Sequence, residues 1–120
     1  MDVKLQYWLN ESRNTQAQFI TWIIVLIVWG SGIPLAFGAL GSNPDAAMGL
    51  IVVSAGTAVF HLIMGASTVG AYKNIVADIP TEAVETAHAR SEQKSPFGFF
   101  SVMTALVTVA VVVGHLLILL

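Results

Sequence analysis

Three long apolar segments, parted by one short and one long polar stretch, organise this chain. They run over about 19–40, 46–70 and 97–120. Each supplies the roughly 20 residues a helix needs to cross a bilayer's hydrocarbon core. The alternation of period two that a membrane strand requires is missing, which excludes a closed barrel. The pattern predicts an all-α integral membrane protein with three transmembrane helices. Residues 1–120 then form a single membrane domain with a polar loop over about 71–96, and no separate soluble domain fits.

The polar positions inside the spans are periodic. In the second span Ser54, Ala58, His61, Gly65, Thr68 and Tyr72 follow steps of three and four, so they share one helix face. Ser101, Ala105, Thr108, Val112 and His115 repeat this in the third. Small and polar side chains gain nothing from lipid, so both faces are expected to meet protein or a cofactor. Gly32, Gly56 and Gly65, with Ser54, Ala58 and Thr108, are the expected helix-packing positions.

The boundaries are marked as well. Pro34 should kink the first span. Asn43-Pro44-Asp45 reads as an N-cap, a proline at the first helical position and an acid on the positive dipole end, so spans one and two form an antiparallel hairpin. Ser95-Pro96 should cap the third span. Before the first span, Val3, Leu5, Trp8 and Leu9 suggest an interfacial lead-in with Tyr7 and Trp8 at headgroup depth, or else a frayed tail with two anchors. In the loop, residues 81–90 read as a short helix with Glu82 and Glu85 in its first turn, either docking a peripheral partner or acting as a solvated linker.

Charge then fixes the expected orientation. Lys4 and Arg13 precede the first span, and Lys73, Arg90 and Lys94 lie in the loop; these are all five basic residues. Basic residues stay on the cytoplasmic side during insertion. The N-terminus and the loop are therefore expected inside, and the hairpin turn and C-terminus outside, in a prokaryotic cytoplasmic membrane or an organelle inner membrane. Six of the seven acids share the inner side, Asp45 being the exception. That face is mixed in charge, unlike a nucleic-acid patch, so no nucleic-acid partner is expected. The Asn10-Glu11-Ser12 sequon falls on the same side and is discounted. Only 10% of residues are charged and 56% are hydrophobic, against about a quarter charged in soluble domains. Cysteine is absent, which excludes disulfides, thiolate metal sites and thioether haem attachment. The first span begins too far into the chain, and after too many acids, to be a signal peptide.

No nucleophile–base–acid set exists, and no span carries an acid, so an enzyme or proton pump working alone is not expected. The chain offers too few ligands for a metal site by itself and too few spans for an inverted-repeat transporter. His61 is the leading candidate. Imidazole near the bilayer midplane suits an axial haem ligand, a chlorin ligand, a proton relay or a quinone contact; a neutral histidine bonded across helices is the bland alternative. His115, beside Gly114 and Ala110, raises a pigment-binding alternative. The two histidines lie about 12 Å apart in depth at helical rise, so one haem cannot take both. Tyr72 stands at the inner end of its span, as a belt residue or as a phenol aimed at a quinone carbonyl. His88 reads as solvated surface.

From His61-Leu62-Ile63-Met64-Gly65 onward to Tyr72, the chain resembles the small three-helix membrane-anchor subunits of succinate dehydrogenase and fumarate reductase. The resemblance implies an axial haem b role for His61, space for the macrocycle at Gly65 and a quinone contact at Tyr72. Ala71 stands where that family often has Asp, and the loop is closer in length to the haemless members. The expected function is a small integral subunit of a respiratory or energy-metabolism complex. It would contact other integral subunits, the bilayer and a peripheral inner-side subunit, and help to form a quinone or haem site. That it binds no cofactor is an equal expectation, and the alternative function is a purely structural accessory subunit of a membrane monooxygenase, oxidase or photosynthetic complex. A small channel is disfavoured, because charged pore residues are missing.

Overall fold

The computed structural model describes residues 2–120. It consists of α1 (Val3–Ala39), α2 (Pro44–Ala77), α3 (Ala87–Gln93) and α4 (Phe97–Leu119), with no strand among the described residues. The three long helices are each apolar enough to cross a membrane, so this is an all-helical integral membrane protein. At helical rise α1 and α2 are ~50–55 Å long, well beyond the ~30 Å of a hydrocarbon core, within a molecule 60 Å in its longest dimension. We call the end at the α1–α2 turn the hairpin end and the opposite one the loop end.

Local chemistry sets the helix limits. The Asp2 carboxylate accepts from the Lys4 amide at 2.8 Å and caps α1. Gly41 and Ser42 turn the chain with positive φ, at 87° and 52°. The Asn43 side chain then accepts from the Ala46 amide at 2.9 Å, with Pro44 opening α2. The loop differs from expectation. Residues 81–86 are turns, and α3 starts only at Ala87, because the Thr86 hydroxyl accepts from the Ala89 amide at 3.1 Å. Glu82 and Glu85 therefore precede the helix. Pro96, not Ser95, occupies the N-cap of α4, and no side chain caps it. Pro34 lies inside α1, which continues unbroken to Ala39.

The lead-in is also different. It is the first part of α1, and Trp8 faces inward instead of anchoring at the interface. Its ring packs with Ile75 and Ala83 in a satellite core, and its indole N–H donates to the Ile75 carbonyl at 2.9 Å. Tyr7 does remain exposed.

A seven-residue repeat sets the packing. On α1 the buried positions include Trp8, Thr15, Trp22 and Trp29; on α2 they include Ala47, Ser54, His61, Thr68 and Ile75. The bonded pairs Trp8–Ile75, Trp22–His61 and Trp29–Ser54 keep one antiparallel register throughout. Thr108 and His115 of α4 continue it, meeting His61 and Ser54. Such a repeat is that of left-handed helix bundles. The α4 face departs from expectation at the loop end, where Ser101 and Ala105 are exposed and Thr104 is the residue turned toward α2.

Candidate functional site

The polar stripes meet in two layers with the same chemistry: one tryptophan, one histidine and one hydroxyl, with histidine and hydroxyl exchanged between α2 and α4. Nearer the hairpin end are Trp29, Ser54 and His115. The Trp29 indole N–H donates to Ser54 Oγ at 3.2 Å, and Ser54 Oγ lies 2.7 Å from His115 Nδ1. His115 Nε2 lies 3.1 Å from the Gly30 carbonyl. A neutral ring satisfies every group: the serine O–H donates to Nδ1, and Nε2–H donates to the carbonyl.

Pro34 explains why that carbonyl needs a donor. In an α-helix the Gly30 carbonyl would accept from the amide of residue 34, and proline has none. An unsatisfied carbonyl in hydrocarbon is costly, and His115 reaches across from α4 to supply the missing hydrogen. Replacing His115 by Leu is therefore expected to cost about 1–2 kcal/mol. The penalty should shrink in a Pro34→Ala background, where the restored amide takes over. A double-mutant cycle on denaturation in bicelles measures this, and equal penalties in both backgrounds would refute the link.

The second layer, Trp22, His61 and Thr108, is one heptad away, about 10.5 Å along the helices. His61 is 0% exposed. Its Nδ1 lies 2.7 Å from Thr108 Oγ1 and its Nε2 3.1 Å from the Trp22 carbonyl. The Trp22 indole returns a bond to the His61 carbonyl at 3.2 Å, so α1 and α2 are tied reciprocally. The Trp22 ring stacks on the imidazole at 4.3 Å and 18°, and Trp29 packs on it at 5.6 Å.

This arrangement does not fit a haem on His61. Both ring nitrogens are engaged by protein, and tryptophans cover the ring. The space expected at Gly65 for a macrocycle is filled: an added Cβ would lie 3.1 Å from Trp22 Nε1 and 3.3 Å from Thr104 Cβ. A chlorin on His115 fails likewise, since Ser54 and Gly30 hold its two nitrogens. Among the described residues no group of three metal-ligating side chains forms. Ser54, Ala58, Gly65 and Thr108 are buried. Gly32 and Gly56 are not: nothing lies within 4 Å of a Cβ at either, so they face out of the bundle.

At the next level toward the loop end the repeat carries only Thr15 and Thr68, and no tryptophan or histidine fills the space. A pocket of about 410 Å³ opens there between α1, α2 and α4, with Tyr72 and Glu92 in its lining. Its walls are mainly apolar: Phe19, Trp22, Val69, Phe100 and Met103. The deeper hydroxyls are already used, Thr68 donating to the Met64 carbonyl and Thr104 to the Ser101 carbonyl, both at 2.9 Å. Tyr72, Glu92 and Ser95 supply the remaining polar character. Glu92 Oε1 is 3.8 Å from His88 Nε2, and His88 also packs edge-on against Trp8 at 5.9 Å, so it is more than solvated surface.

No family model, curated protein or solved structure matches the chain. Several residues that build the site carried readable signals that the span pattern alone does not reveal. The heptad Trp8, Thr15, Trp22, Trp29 is the signature of the α1 face, and Pro34 four residues after Gly30 marks the carbonyl that needs a partner. Glu92 had no such signal.

Proposed function

We propose that this chain is a small integral subunit of a multi-subunit membrane complex in respiratory or other energy metabolism, anchoring partners and holding a quinone-class head group beside Tyr72. The observation that carries this reading is the aromatic-walled pocket at the loop end. Its volume lies in the range of small-molecule sites, about 300–1,000 Å³. Its walls suit a flat apolar ring, and the Tyr72 phenol can donate to a ring carbonyl. The haem role is not carried forward, for the geometric reasons given above. The decisive experiment is isolation of the chain from its native membrane in mild detergent, with co-purifying proteins identified by mass spectrometry and lipophiles by solvent extraction. A flavoprotein and an iron–sulfur protein, with bound quinone, are expected. Tyr72→Phe should lower quinone affinity roughly fivefold, the value of one hydrogen bond. Undiminished affinity would remove Tyr72 from the site.

The proposed orientation puts the loop end in the cytoplasm, in keeping with the five basic residues there. Because the chain lacks cysteine, single substitutions report cleanly. Ser42→Cys is expected to react with an impermeant maleimide applied outside, and Ser91→Cys only after permeabilisation. The reverse pattern would invert the topology.

A second reading, a purely structural accessory of a monooxygenase, oxidase or photosynthetic complex, is favoured by one observation. The histidines and hydroxyls of both layers are fully engaged within the chain. Co-purification with such subunits, and no bound quinone, would select it.

A further inference from the structure

We propose that Glu92 makes the loop-end pocket selective for the reduced, hydroxyl-bearing form of its ligand, a hydroquinone, over the oxidised dicarbonyl form. This rests on the quinone-class reading above and adds the redox state that the site prefers.

The polar groups of the pocket differ in what they offer. The Tyr72 phenol donates or accepts, so it serves a carbonyl and a hydroxyl alike. The Ser95 hydroxyl does the same. A carboxylate only accepts. Glu92 therefore welcomes a ligand O–H with a charge-assisted hydrogen bond, whereas a quinone carbonyl facing it brings two acceptors together. The position of Glu92 strengthens the contrast. Its side chain is 19% exposed, against 50% for His88 at 3.8 Å. It thus stands at the junction of pocket and solvent, partly withdrawn from water, next to the most polar part of an otherwise apolar lining. Among the described residues no other carboxylate lines this pocket, so the discrimination falls on one residue.

Binding of decylhydroquinone and of decylbenzoquinone tests this. Both are titrated under anaerobic conditions into the full chain in nanodiscs, with empty nanodiscs subtracted. The wild-type chain is expected to hold the hydroquinone about tenfold more tightly, in line with a hydrogen bond to a charged group. In Glu92→Gln, whose amide both donates and accepts, the two forms should bind within about twofold of each other. Circular dichroism of the variant checks that the helices persist, and the wild-type ratio is decisive without it. Equal wild-type affinities would overturn the selectivity and leave the quinone-class reading standing. Binding of neither form above empty nanodiscs would overturn that reading, and this inference with it.

Discussion

Leucine in place of Gly65 is expected to open the bundle, lowering its stability by about 3 kcal/mol or more, at the upper end of overpacking penalties. A Cβ alone would lie 3.1 Å from Trp22 Nε1 and 3.3 Å from Thr104 Cβ. Neither neighbour is free to move. The indole is held by its bond to the His61 carbonyl, and Cβ of Thr104 is fixed to the α4 backbone. Gly65→Ala should already cost about 1–2 kcal/mol by the same strain. The control is Gly56→Leu, which meets open space and should change the stability of the isolated chain by less than about 0.5 kcal/mol. Denaturation followed by circular dichroism in bicelles checks all three. Equal stabilities for Gly65→Leu and Gly56→Leu would disprove the close crossing.

His61→Ala carries the second large effect, about 3 kcal/mol, from a cavity at a fully buried position together with lost hydrogen bonds. It removes the imidazole partner of Thr108 Oγ1 (which keeps only its bond to the Thr104 carbonyl), one of the two ties between α1 and α2 in that layer, and the stacked partner of Trp22. A change in Trp22 fluorescence should accompany the loss of stability. In the intact complex, absorbance at haem wavelengths is expected to stay unchanged. Disappearance of a haem band in this variant, with the complex still assembled, would restore His61 as an iron ligand.

Much of this architecture was legible in the sequence, because hydrocarbon leaves few options for polar groups. The α2 stripe is buried from Ser54 to Thr68, since a serine or histidine there must find a partner, while Tyr72 is only half-buried. The α4 stripe was half legible. Thr108 and His115 are packed, but Ser101 and Ala105 look no different from Thr104 by composition, and only the contact of Thr104 with Gly65 decides between them. The tryptophans of α1 were obscured by their chemistry. Indoles favour membrane interfaces, so Trp8 reads as an anchor until its partner at Ile75 is known. The pocket was illegible as a whole. Its lining comes from Phe19 and Trp22, from residues 65–72 of α2 and from residues 92–107, which no local pattern joins.

The constant register has a consequence for how this chain tolerates change in length. α2 is the middle member: its heptad faces α1 through Trp22 and Trp29 and α4 through Thr108 and His115. One residue inserted between Ser54 and His61 would turn the rest of α2 by about 100° and misalign both neighbours together. The same insertion near the start of α1 would disturb only the Trp8 contacts. The central helix is therefore expected to keep a fixed length.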